Sequence, residues 1–327
     1  MFRHHRIRLA AGAALACCLA LATGCAGSDP AATGADGRAR VRISSPANVS
    51  NVPLHIAMEN GYFAQEGLDI AADVDLGAGS TIESVIGGQV DMAWTNVVSA
   101  LNAYGKGLRI RLVAVTDLGV DGAQQLLVPK DSPARELKDL VGKKVAVLSP
   151  NTICIVSIRA ALKALGLPQD SIAFTPVAPP EHATVLSSGE VAGTCTSDPF
   201  RTLMIEELGA RPVLDATAGE LAGHLVGGYV VSDRFAAANP GVLAGFQRAL
   251  VKAAKFANAD PGAVRAALPK FTTIDAKITD RVAINKYVET DLAATKSEVQ
   301  RMAELMRAYG LLDKPLDVSG FLLPGTS

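Results

Sequence analysis

Apolar runs broken by Gly, Pro and short polar clusters divide this chain into strands and helices, and two stretches about a hundred residues apart share one plan. Val41-Arg42-Ile43-Ser44-Ser45-Pro46 is a short apolar strand that stops at Ser-Pro. A polar turn follows, where Ser50 or Asn51 can cap a helix, Pro53 suits its first turn and Gly61 ends it. At an offset of 104, Val145-Ala146-Val147-Leu148-Ser149-Pro150 opens the same series. There Asn151 or Thr152 can cap a helix running to Leu165, with Gly166 as its stop. At an offset of 101, residues 88–96 (GQVDMAWTN) and 189–197 (GEVAGTCTS) each read as a turn, a strand and a polar strand end. Helical segments at 80–86 and 180–187 precede them.

Each half thus reads strand–helix–strand–helix–strand, the pattern of a parallel sheet covered by helices. A structural duplication explains this; chance similarity of two α/β segments is the alternative. Residues 110–115 add a strand to the first half. Residues 124–129 (QQLLVP) lead into the second half and residues 225–232 (LVGGYVVS) lead away from it. Two extended segments crossing between two sheets make a hinge. Helical periodicity at 239–258, 274–292 and 295–309 predicts helices that return over the first half. The expected organisation is an α/β chain of two lobes, each a mainly parallel sheet flanked by helices. Lobe I takes 41–123 and 231–327, and lobe II takes 124–230.

The amino terminus follows another pattern. Residues 1–8 carry Arg3, Arg6 and Arg8 with no acid, and residues 9–23 are an almost unbroken run of small and apolar side chains. A basic start and an apolar core of this length read as a signal peptide over 1–24, short for a membrane span. Small residues before Cys25 resemble a lipobox, although Ala22 stands where Leu is preferred and Leu21 lies one place earlier. Cys25 is the expected lipidation site (palmitate-type chains), with plain secretion as the alternative. Two or more acyl chains hold a protein stably at a bilayer. Residues 25–40, with no aliphatic side chain larger than Ala, then read as a flexible tether. No later segment has a charge-free apolar run long enough to span a membrane.

Composition narrows the function. Of 327 residues, 49% are hydrophobic and 19% charged, with a mean hydropathy of +0.26, which excludes a disordered chain. The formal charge is -1; without residues 1–24 it rests on 28 basic and 32 acidic residues. That balance, with aromatics at 5%, argues against nucleic acid as a partner. Beyond Cys25 two cysteines remain, Cys154 and Cys195, which form a disulfide or stay as two buried thiols. His55, His182 and His224 show no paired spacing, so neither a metal site nor a nucleophile–base set is expected.

In parallel sheets a ligand sits beyond the carboxyl ends of the strands. That rule selects Ser45, Asn48, Asn51, Ser80, Thr81, Trp94, Thr95 and Asn96 from the first half. From the second it selects Ser149, Asn151, Thr152, Ser197 and Asp198, with Tyr229 on a crossing segment. Most are hydroxyls and amides at helix starts, where unpaired N–H groups suit an anionic or strongly polar ligand. Each can instead cap its own helix. Trp94 can wall a site or sit in a core, and Asp198 can face a ligand or cap the next helix. Arg201 is expected to face solvent.

With these pieces placed, the chain from about Val41 to the final helices resembles the substrate-binding proteins of nitrate/sulfonate/taurine ABC importers, the NMT1/THI5-like family. The resemblance is carried by Pro53-Leu54-His55-Ile56-Ala57-Met58-Glu59-Asn60-Gly61-Tyr62-Phe63 and its continuation to Gly67-Leu68. Residues 77–81 (GAGST), 88–93 (GQVDMA), 137–145 (LKDLVGKKV) and Asp198-Pro199-Phe200 fit in order. It implies a type II periplasmic-binding-protein fold that captures a small polar solute (a sulfonate, a nitrate-like anion, a pyrimidine or a relative) for ABC permease and ATPase subunits. It further implies a monomer on the extracytoplasmic side of the membrane, held by a lipid anchor, without cofactor or catalysis. A sensory module for a membrane receptor is the other function such a fold serves. The cysteine-rich motif of the pyrimidine-synthesising relatives is absent, which disfavours the enzymatic branch.

Overall fold

The computed structural model describes residues 31–75 and 81–323. The expected signal peptide 1–24, Cys25 and Ser80 therefore lie outside the described residues.

Five strands form the first sheet: β1 (Ala39–Pro46), β2 (Leu68–Asp75), β3 (Met92–Asn96), β4 (Ile110–Val115) and β11 (Gly227–Ser232). Their order is β2-β1-β3-β11-β4. A second sheet holds β6 (Gln124–Val128), β7 (Lys144–Val147), β8 (Ala173–Pro176), β9 (Gly193–Ser197) and β10 (Arg211–Asp215), in the order β10-β6-β9-β7-β8. In both, three parallel neighbours are followed by one antiparallel strand, β11 against β3 and β6 against β9. The pairing repeats as well. Ile43 faces Met92 in lobe I, and Val145 faces Gly193 in lobe II. Each lobe's antiparallel strand adjoins the crossing between the lobes, so the duplication extends to the hinge.

The apolar alternation explains the layers. In lobe I, Val41, Ile43, Met92, Val113 and Val231 pack beneath α1 (Val52–Glu59), α2 (Tyr62–Gln65) and α9 (Pro240–Ala259), whose Phe246 stacks on Phe63 and meets Tyr229 edge-on. The other face of that sheet packs against α3 (Thr81–Ile86), α4 (Val97–Gly105) and α11 (Lys296–Ala308). In lobe II, Leu126 and Val128 point to α5 (Ile153–Ala164), while Leu127 points to α6 (His182–Ser187) and α7 (Phe200–Leu208). The helices α8 (Asp233–Ala238) and α10 (Pro261–Phe271) complete lobe I.

Three segments depart from the sequence reading. Because β11 pairs wholly within the first sheet, the chain leaves lobe II before Gly227 rather than after residue 230. The expected helix over 274–292 is instead a 3-10 turn (Ala276–Arg281), the strand β12 (Lys286–Tyr287) and a second 3-10 turn (Leu292–Thr295). Its backbone is drawn into pairing with β5 (Asp117–Leu118) on the hinge, which a helix forgoes. Within the expected tether, β1 already begins at Ala39, and the Ala31 N–H donates to Asn239 Oδ1 at 2.7 Å.

The hinge itself is two zipped segments. Gly119 N donates to the His224 carbonyl and Val226 N to the Asp117 carbonyl, at 2.9 and 3.0 Å. Thr217 Oγ1 adds a bond to the Val120 carbonyl at 2.9 Å.

Candidate functional site

Both sheets aim their carboxyl ends at one cavity of about 150 Å³ between the lobes. Of the fourteen residues selected from sequence, nine line it: Asn48, Thr81, Trp94, Thr95, Asn96, Ser149, Thr152, Ser197 and Asp198. Ser45, Asn51 and Tyr229 are buried and do not reach it. The Tyr229 hydroxyl donates to Asn51 Oδ1 at 2.6 Å, and Asn51 Nδ2 donates to the Pro46 carbonyl and to Asn48 Oδ1. These three residues hold the turn after β1. Asn151 lines a neighbouring depression, and its carbonyl accepts from Ser99 Oγ at 2.8 Å across the cleft.

Trp94 is 7% exposed and presents its ring, since its indole N–H donates to Thr116 Oγ1 at 3.1 Å. Glycine opposite makes this placement possible. A Cβ on Gly227 would lie 2.2 Å from Trp94 Cζ2 and 2.9 Å from the Thr95 carbonyl oxygen. Asn96 caps α4 by accepting from Ser99 N at 2.8 Å. On the opposite wall, Cys154 and Cys195 are joined as a disulfide between α5 and β9, and Gln124 Nε2 lies 3.1 Å from Cys154 Sγ. Thr152 precedes α5 with extended backbone, yet its hydroxyl does not cap the helix. The side-chain oxygen is buried and has no partner among the described residues.

Asp198 is saturated. Its carboxylate accepts from Arg201 Nη2 at 2.9 Å, from Thr202 N at 3.0 Å and from Ala283 N at 2.8 Å. Arg201 therefore turns inward instead of facing solvent: a buried carboxylate recruits the nearest cation one helical turn away. The Ala283 bond crosses from the lobe I return segment to lobe II, and Arg281 pairs with Glu206 beside it. Behind the cleft, Asp117 is fully buried and accepts from Ser50 Oγ, Thr116 Oγ1 and Asn285 Nδ2 at 2.8, 2.6 and 2.5 Å. Burial pushes its carboxyl up despite those three donors. Trp94, Thr116 and Asp117 so form one relay from cavity wall to hinge.

The histidines are structural. His55 stacks on Phe271 at 3.7 Å, His182 Nε2 donates to the Val177 carbonyl and His224 Nδ1 to that of Leu221. Among the described residues no group of three or more His, Cys, Asp or Glu is placed to hold a metal ion. The strand-end rule also reaches residues 177–181, of which Pro179 and Pro180 line the cavity. Sequence reasoning missed the rest of the apolar wall: Leu148, Ile153, Phe200 and Val226. Leu148 and Ile153 stand beside the selected Ser149 and Thr152, so adjacency was the available signal there, and Phe200 and Val226 carried none.

The profile of the NMT1-like family matches residues 34–269. No curated protein matches the sequence. Among solved structures, the alkanesulfonate-binding protein SsuA from Xanthomonas axonopodis pv. citri, bound to MOPS, is similar at 20% identity over 87% of this chain and 98% of that one, with a TM-score of 0.73. The periplasmic nitrate-binding protein NrtA from Synechocystis PCC 6803 gives 17%, 84%, 85% and 0.67 in the same order. The desulfurization enzyme DSZB gives 19%, 87%, 96% and 0.62. At these identities the likeness establishes a shared fold, which serves both binding and catalysis.

Proposed function

This chain belongs to the NMT1-like family, and on that premise we propose that it is the extracytoplasmic solute-binding component of an ABC importer. The observation that carries the reading is the cavity between two lobes, bridged on one side by Ser99 and Asn151 and on the other by Asp198 and Ala283. A solute touching both walls favours the closed arrangement by its contacts to each lobe. The permease and ATPase subunits are its partners, and Cys25 anchors it to the membrane by lipid. In support, the amino-terminal pattern suits export, and no helix among the described residues is long and apolar enough to cross a membrane.

Covalent catalysis needs a nucleophile and a base at the cleft. Among the described residues the wall contains no histidine, and its two cysteines are bridged. The test is a thermal-shift screen of the exported protein with sulfonates, nitrate, pyrimidines, riboflavin and amines. A solute at a hundred times its Kd is expected to add about 2.7 kcal/mol of apparent stability and to be recovered unchanged. Conversion of the solute by the purified protein would refute the receptor reading.

A further inference from the structure

Resting on that receptor reading, we propose that the solute is uncharged and of single-ring size, with an acceptor atom turned toward the start of α5. Size comes first. The cavity of about 150 Å³ matches engineered apolar cavities that admit one benzene molecule. Its wall is dominated by flat or apolar groups, among them the Trp94 ring, Ile153, Phe200, Val226 and the Cys154–Cys195 bridge. A ring fills such a space without leaving voids.

Charge is argued from what the wall lacks and what it has already used. Among the described residues no Lys, Arg or His lines the cavity, and the sequence of residues 74–80 contains no basic residue either. The single ionisable side chain there is Asp198, a carboxylate 4% exposed. With Arg201 and two backbone N–H groups already on it, it has little left for a cation, and the ion pair offers no free countercharge to an anion. Two helix starts that could receive an anion are also occupied, α4 by Asn96 and α7 by Asp198. A cation therefore finds no free countercharge here, and an anion finds only the partial charge at the start of α5, which offsets little of the cost of stripping its water.

Orientation comes from the lining side-chain atom that is fully buried and unpartnered among the described residues. Thr152 is 3% exposed, lines the cavity and leaves its hydroxyl without a partner at the amino end of a twelve-residue helix. A hydroxyl there, backed by the positive end of the helix, suits a carbonyl or ring nitrogen. Of the other polar groups, Asn96 bonds to Ser99, Asn48 to Asn51, and Ser99 and Ser149 to the Asn151 carbonyl. The Thr81, Thr95 and Ser197 hydroxyls are less deeply placed and add further, weaker donors to the wall.

The experiment is calorimetric titration of the full exported protein with three ring probes matched in size, namely benzamide, benzenesulfonate and benzylammonium, and with nitrate and MOPS. Benzamide is expected to bind at least about tenfold tighter than every charged probe. Thr152→Val should weaken benzamide about tenfold, with Thr152→Ser restoring it and the melting temperature of the ligand-free variants unchanged. Equal or tighter binding of a charged probe, no binding of benzamide, or a Thr152→Val variant with unaltered affinity would each overturn the proposal. An anion that binds and is recovered intact defeats only this inference, whereas a probe recovered chemically altered defeats the receptor reading beneath it.

Discussion

Asn51 and Thr152 hold matching places, just before the helices that follow the equivalent strands β1 and β7, and neither caps its helix. Asn51 is turned into lobe I, where Tyr229 donates to it and it donates to Pro46 and Asn48. Thr152 faces the cleft with no partner among the described residues. The difference comes from what covers each lobe. Lobe I receives β11 and the returning helices α8 to α11, which supply buried partners such as Tyr229 and Asn285. In lobe II the returning segments reach α5 and Asp198, through Arg159 on the Tyr309 carbonyl and the Ala283 N–H. Among the described residues they supply Thr152 with no partner, and a disulfide ties α5 to β9. At this one matching place the two halves differ: lobe I closes an amide on its own core, and lobe II keeps a hydroxyl free at the cleft.

The contrast is broken most strongly at the disulfide. Closing a loop between residues 41 apart contributes about 4 kcal/mol by chain entropy. Reduction, or Cys154→Ser with Cys195→Ser, should lower stability by about that amount in denaturant titrations. Hydrogen exchange should rise first in lobe II, and uniform loosening of both lobes would count against the contrast.

Acid is the next lever. His182 in lobe II and His224 on the hinge are pushed down to about 4 by burial, below the ordinary 6.5. The unfolded chain then binds more protons as pH falls, so their contribution is whole above about 6.5 and is lost toward 4. By pH 5 each should cost roughly 1–2 kcal/mol, measured as the unfolding midpoint against pH. Asp117 acts in the opposite sense, because its raised carboxyl favours the protonated folded state. Asp117→Asn should accordingly make the acid loss steeper.

Much of this was legible in the chain itself. The two Ser-Pro strand ends and the paired segments 88–96 and 189–197 marked neighbouring parallel strands in both sheets. The register is two residues off the sequence offset, since Val145 and not Val147 pairs with Gly193 where Ile43 pairs with Met92. The direction of a side chain was not legible. Ser45 and Asn51 have the same polarity and strand-end position as Asn48, yet pack inward, because a tyrosine 178 residues away supplies Asn51's partner. Periodicity over 274–292 pointed to a helix, and pairing of β12 with β5 overrode it. Arg201 was read as solvent-facing from its place after Pro199-Phe200, and the burial of Asp198, which draws the guanidinium inward, was not legible.

Single substitutions sharpen the comparison further. Asn51→Ala strands the Tyr229 hydroxyl inside lobe I and should cost about 1–3 kcal/mol of stability, seen in denaturant unfolding, with the cleft wall otherwise intact. Thr152→Val at the matching place removes a hydroxyl that bonds to nothing in the fold. Its effect on stability should stay within about 0.5 kcal/mol, and its loss should register in affinity alone.

Trp94 is the only tryptophan in the chain and forms part of the cavity wall, so its emission reports on the cleft and nowhere else. Titrating that emission with a solute that calorimetry has shown to bind, then recovering the solute, tests the central claim most directly. The account predicts a saturable change at one solute per chain and a solute recovered unaltered. Binding that leaves Trp94 emission untouched, or a solute recovered as a different molecule, would contradict it.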